Sequence, residues 1–270
     1  GNDVSGNDND FAATNLAPSD VVNDRPTDNY CVLNALDKYS DITLAEGNLK
    51  LTSGGDYRYA RSTFALPSSG KWYYEYYWKD NGYIGGYGIA AADYDLNDGN
   101  TGKCRMVHGG SYFADFTSGN AVFANDQHRN SATSWVATSP TSNYADGDIV
   151  MVAVDMDNSK IWFGKNGDWI ETSGTPNPAT GADPRDSSVT SATDWFPTVG
   201  TSLESEGVVY ANYGQDPTFA GNKSGGATSE FFYEPPSGFK SLSTGNLPTP
   251  TIAKPAEHFD IKTWTGTATS

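Results

Sequence analysis

Asp148–Trp169 reads DIVMVAVDMDNSKIWFGKNGDW. Val150, Val152 and Val154 alternate with Ile149, Met151 and Ala153, so a strand here has two apolar faces and either could meet a core. Asp155–Ser159 supplies turn formers, and Ile161-Trp162-Phe163 makes the return strand. Asn166-Gly167 then tolerates the left-handed backbone of a second tight turn. A meander of short antiparallel strands follows, and from it a β-sandwich.

The pattern continues outward. In KWYYEYYWK at Lys71–Lys79, Trp72, Tyr74, Tyr76 and Trp78 share one face while Tyr73, Glu75 and Tyr77 share the other. Asp80-Asn81-Gly82 turns the chain into YIGGYGIAA, where Gly85, Gly86 and Gly88 admit close backbone approach. Strands are also expected over 57–66, around Cys104–Val107 and Ala121–Phe123, at Trp135-Val136, and in GVVYANYGQ at Gly207–Gln215. Ile42, Leu44, Leu49 and Leu51 bracket Gly47-Asn48 as a hairpin that covers a sheet edge. Thr172–Ser191 is a long polar loop with a surface role or high mobility, and Phe231, Tyr233 and Phe239 clamp the tail to the body. No long segment keeps helical periodicity, and 29 glycines with 14 prolines favour turns.

With 270 residues the chain can bury a full core as one large domain with flanking extensions. Seventeen basic against 33 acidic residues give a formal charge of −16, a field that repels a phosphate backbone. Nucleic acid is therefore excluded as a partner, whereas neutral sugars, divalent cations and proteins are compatible. Cys31 and Cys104 are read as buried hydrophobes, with a single bridge as the alternative. No apolar run is long enough to span a bilayer, so membrane insertion is not expected. The chain opens at Gly1 without methionine, and the expectation is processing or excision from something longer.

Several pieces together resemble the SPRY family. They are GKWYYEYYW at Gly70–Trp78, GGYGIA at Gly85–Ala90, GDIVMVAVDMDNSKIWFGKNGDW at Gly147–Trp169, WFPTVG at Trp195–Gly200 and VVYANYGQDPTF at Val208–Phe219. Their order and spacing are more specific than any one motif. The resemblance implies an all-β fold, an antiparallel β-sandwich of SPRY/concanavalin A-like jelly-roll type. It also implies a non-enzymatic binding module that uses loops at one end of the sandwich and has no universal ligand motif. The division expected is residues 1–54 as an N-terminal extension packing on the sandwich, 55–245 as the sandwich, and 246–270 as a linker with the start of a following module.

The flanks carry a second resemblance. GNDNDFAATNLAPSDVVNDRPTDNYCVLNALDK and EHFDIKTWTGTATS are similar to segments that join repeated lectin-like modules in large bacteriophage structural proteins, with Asn15, Asp20, Pro26, Asn29 and Asn34 carrying the upstream match. This resemblance implies a tail-fibre or other virion-surface protein, extracellular, whose parent is a homotrimer or otherwise multivalent. The expected partner is a host-surface glycan. A structural spacer or decoration domain binding neighbouring virion proteins is the alternative, and a glycoside hydrolase the third reading.

Sugar faces stack on aromatic rings, so the candidate ligand-binding residues are Tyr83, Tyr87, Tyr94, Tyr112, Trp135 and Tyr144, all near expected turns or strand ends. Trp72, Trp162, Phe163 and Trp195 are assigned to packing. Asp93, Asp95 and Asn97 offer hard oxygen ligands at alternating positions, and a calcium ion is the cofactor they would hold. Asp98 stands where an EF-hand counted from Asp93 needs glycine, so an Asx-rich turn is the preferred reading. His108, His128 and His258 make no zinc-like spacing or nucleophile motif. Among the carboxylates Glu75, Asp155, Asp157 and Glu171, Glu75 best fits a general acid because it lies among rings. With no catalytic partner identified, a hydrogen-bonded strand residue is the better account of it.

Overall fold

A computed structural model describes residues 5–7, 14, 22–54, 58–80, 84–96, 103–108, 121–125, 135–137, 145–170, 174–202 and 207–249. Two antiparallel sheets stack face to face, the all-β sandwich expected above. The first sheet runs β1 (Leu33–Lys38), β4 (Arg58–Ser62), β13 (Trp195–Ser202), β6 (Ile84–Ala91), β7 (Cys104–His108), β8 (Ala121–Asn125) and β9 (Trp135–Ala137). The second runs β12 (Asp168–Trp169), β11 (Lys160–Lys165), β10 (Ile149–Asp155), β5 (Lys71–Asp80), β14 (Gly207–Asn212), β3 (Lys50–Ser53) and β2 (Thr43–Ala45).

The deciding stretch folds as its alternation dictates. Val152 lies opposite Phe163 on β11 and Tyr74 on β5, so β10 is the spine of the second sheet. Asn166 and Gly167 take φ of 52° and 93°, the left-handed pair a two-residue hairpin turn requires. Every residue of β10 is buried. An antiparallel strand with one wet face would alternate apolar and polar, so the continuous run reports cover on both sides.

The two covers differ. On the inner side Trp72, Tyr74, Tyr76, Trp78, Val150, Val152, Val154 and Phe163 meet Tyr87, Ile89, Val107, Trp195 and Val199 of the first sheet. On the outer side lies a strap, residues 216–243. Phe219 packs on Tyr77 with ring centroids 5.6 Å apart, Phe231 stands edge-on to Tyr73 at 4.8 Å, and Phe239 meets Trp162 at 6.3 Å. Phe231, Tyr233 and Phe239 thus clamp the tail as expected, and the domain has three layers.

Sheet edges are covered as well. The polar loop after β12 lies along β11: Arg185 N–H donates to Ile161 O at 2.8 Å, Ile161 N–H to Asp186 O at 3.0 Å, and the Trp162 indole to Ala182 O at 2.8 Å. Its surface role is to satisfy that edge, which would otherwise be open to pairing. Arg105, 3% exposed, reaches the same loop with bonds to Ser188 Oγ at 2.7 Å and Cys104 O at 2.8 Å, beside Asp186 at 3.2 Å. Cys31 and Cys104 are both free and buried; burial pushes the Cys31 thiol up to about 11.

One boundary needs correction. β1, β2 and β3 belong to the two sheets, β3 pairing with β14 and β1 with β4. Residues 33–53 are therefore sandwich, and a division at residue 54 cuts through it. The expected hairpin does cover an edge, since β2 closes the second sheet. Its turn puts Gly47 and Asn48 at φ of 63° and 66°.

Candidate functional site

Strand register sorts the connections into two poles. Thr201 lies opposite Arg58, Ser202 opposite Ile84, Gly86 opposite His108, His108 opposite Ala121, and Ala121 opposite Ala137. In the second sheet Gly207 lies opposite Ser53 and Val208 opposite Asp80. These strand ends share one pole, so the connections 54–57, 81–83, 109–120, 138–148 and 203–206 all depart from it. We term it the loop pole. Tyr83, Tyr112 and Tyr144 belong to three of those connections and lie outside the described residues.

The described rim of this pole is polar and internally hydrogen-bonded. Asp148 accepts from Ala145 N at 2.8 Å and from the Asn166 amide at 2.7 Å, while Asn166 Oδ1 accepts from Ile149 N at 2.9 Å. Lys223 donates to Gly147 O at 2.6 Å and stands 4.7 Å over the Tyr77 ring. On the first-sheet side the Arg58 guanidinium stacks 3.9 Å from the Tyr39 ring centre, with Asp41 at 3.6 Å. Such Asx-locked turns hold hydrogen-bonding groups in fixed directions, which polar ligands with several hydroxyls require.

The remaining expected residues separate from that pole. Tyr87 is fully buried: its ring is edge-on to Phe163 at 5.8 Å and its hydroxyl donates to Gly164 O at 3.5 Å. Tyr94, 5% exposed, packs edge-on against Tyr59 at 5.8 Å, and its carbonyl accepts from Arg61 at 2.9 Å. Both are corrections, because neither offers a ring face to a sugar. Tyr87 alternates inward along β6, a placement its turn-proximal sequence position concealed. Trp135 opens β9 opposite Phe123, at the edge of the first sheet.

Asp93 and Asp95 follow the far end of β6, where Trp195 pairs with Ala91, on a segment that runs back along β4 until Tyr59 N–H donates to Leu96 O at 3.0 Å. Asn97 lies outside the described residues. Tyr94 N–H donates to Ala91 O at 3.1 Å, closing the turn that carries Asp93. Among the described residues no three His, Cys, Asp or Glu side chains gather where they could hold a metal ion. The aspartates of the opening hairpin act as caps. Asp155 accepts from Asn158 N at 3.0 Å and pairs with Lys71 at 3.1 Å, contacts that pull its carboxyl below the usual range against its burial; Asp157 accepts from Gly70 N at 2.8 Å.

Glu75 is fully buried, and its surroundings explain it. One carboxylate oxygen accepts from Tyr233 N and the Tyr73 hydroxyl, each at 2.8 Å; the other accepts from Phe232 N at 2.9 Å and Asn212 Nδ2 at 3.4 Å. Burial pushes the carboxyl up to about 7, and these four donors oppose the shift. Both oxygens are engaged beneath the strap, so Glu75 is an anchor with no path to a substrate. A charged residue on a strand face otherwise made of rings was the sequence signal of that cover.

No family model and no curated protein matches the chain. Its structure is similar to those of SPRY domains. The SPRY domain of human HERC1 matches 66% of this chain and 96% of its own at 18% identity, with a TM-score of 0.45. The PSpry domain of TRIM65 matches 67% and 91% at 8% identity, with a TM-score of 0.44, and stonustoxin matches 67% and 27% at 16% identity, with a TM-score of 0.39.

Proposed function

We propose that the chain is a non-enzymatic recognition module of a phage virion or tail-fibre protein that binds a host-surface glycan through its loop pole. The observation that carries the reading is the strand register, which brings the strand ends flanking five connections to one end of a three-layer scaffold; in sequence three of those connections carry Tyr83, Tyr112 and Tyr144. A braced frame fixes where recognition loops leave the fold. Rings supply stacking surface and the Asx-rich rim supplies hydroxyl partners. The flanking segments support the virion setting by their resemblance to phage module junctions, and display on a trimeric parent would turn weak single-site affinity into avidity.

A decoration domain would need a broad apolar face. The exposed large hydrophobics among the described residues are Val22 and Leu36, single residues on separate segments, so no described face favours that reading. The test is a glycan array probed with the chain on a multivalent carrier. Binding is expected, and Tyr83→Ala, Tyr112→Ala and Tyr144→Ala should each weaken it about fivefold with an unchanged melting temperature, since one stacked ring contributes on the order of 1 kcal/mol. No binding at high valency, or binding indifferent to all three changes, sinks the glycan reading.

A further inference from the structure

The pole opposite the loops is where the chain comes into the fold and leaves it. Asn23 N–H donates to Gln215 O at 2.8 Å, and the Asn23 amide donates to Ser229 O at 2.6 Å. Cys31 N–H donates to Leu242 O at 2.8 Å, Thr244 N–H to Asn29 O at 2.9 Å, and Asn29 N–H to Thr244 Oγ1 at 2.9 Å. Gly245 N–H donates to Asp28 Oδ1 at 2.8 Å, and Tyr30 bridges antiparallel to Ser243 while its hydroxyl donates to Glu230 at 2.9 Å. The incoming and outgoing segments are therefore zipped side by side.

Register fixes which pole this is. Leu33, next after the zip, lies opposite Ser62 at the far end of β4 from Arg58, and Lys240 N–H donates to Lys71 O at the far end of β5 from Asp80. Ser62 and Lys71 are the strand ends most distant from the loop connections.

We infer that the domain is a side branch: the flanking segments, residues 1–21 and 250–270, leave together from this root pole, and the loop pole faces away. The inference deepens the recognition reading and relies on it only for what the loop pole meets. Physically, an antiparallel zip turns the incoming chain back beside the outgoing one, so a run of such modules would hang each domain off a common stem. The loops of every copy would then point outward, the geometry that multivalent capture needs. A domain threaded end to end would have one flank at each pole and would bury its loops against a neighbour.

Energy transfer in the full chain tests this without any ligand. Asn7→Cys with Thr269→Cys places dyes on the two flanks, and Asn7→Cys with Lys79→Cys places one on a flank and one on an exposed site of the loop pole. Cys31 and Cys104 are buried and stay unlabelled in the native fold. Transfer between the flanks is expected to exceed transfer from flank to loop pole several-fold, with the unlabelled melting temperature retained. Equal or reversed efficiencies overturn the branch geometry. That failure would leave glycan binding standing, and a blank glycan array would leave the branch geometry standing.

Discussion

The two faces of β5 are both buried, and the difference between their covers explains most of this domain's chemistry. Inward, Trp72, Tyr74, Tyr76 and Trp78 meet a sheet whose backbone N–H groups are paired in its own ladders. Outward, Tyr73, Glu75 and Tyr77 meet an irregular strap that has no ladder. Buried N–H groups must still find acceptors. Glu75 is the acceptor for Phe232 and Tyr233, and Asn212 extends the arrangement by donating to Glu230 O at 2.8 Å and accepting from Gly214 N at 2.9 Å. A regular cover therefore takes mainly apolar shape from β5, with one hydroxyl bond from Tyr74 to Gly88 O at 2.8 Å, whereas an irregular cover needs a buried acceptor.

The largest effect that would test this contrast is on the regular side. Trp72→Ala should lower unfolding free energy by about 3–5 kcal/mol, since a fully buried indole leaves a cavity that two packed sheets cannot collapse. Denaturant titration checks it. Phe231→Ala, the matching deletion beneath the strap, should cost less, about 2–3 kcal/mol, because the irregular cover can settle into the space. A loss equal to that of Trp72→Ala would show that the strap is as stiff as the sheet.

Glu75→Gln comes next. At pH 5 the buried acid carries one hydrogen among its four donors and the amide two, so the change should cost about 1–3 kcal/mol there. Its pH dependence sharpens the prediction. The carboxyl is raised from 4.5 to about 7 in the fold, so the unfolded chain releases its proton first as pH rises. The native protein should accordingly lose stability between about pH 4.5 and pH 7, by on the order of 3 kcal/mol, and level off above. Glu75→Gln removes that slope, so the gap between variant and native protein should narrow by pH 8; parallel curves would refute the anchor role. The smallest effect belongs to Leu36→Ser on the exposed face of β1. Its side chain is 97% exposed, and the change should stay within about 0.5 kcal/mol by thermal unfolding.

Much of this was legible in the chain. The alternation in Gly70–Trp78 placed four rings inward, Asn166-Gly167 marked its hairpin, and the unbroken apolar run of β10 carried the information that both faces are covered. Partners distant in sequence were not legible. Tyr87 and Tyr94 lie close to turns, and nothing local tells a ring that folds inward from one that stays out. The 33–53 segment looked like an appendage because its strands pair with β4 and β14, the latter more than 150 residues away. Glu75 presented itself as a carboxylate among rings, which describes a catalytic acid and a strap anchor equally well.

By itself the sequence determined the class of fold, since side-chain period and turn residues act over a few positions and need no distant partner. Only the tertiary structure decided what each exposed-looking group does. It gave Glu75 to two backbone N–H groups of the strap, put Tyr87 in the core, and packed Tyr94, between the two aspartates, against Tyr59. Those outcomes depend on which strands become neighbours, a choice made by burying the whole apolar surface at once and not by any residue's own preference.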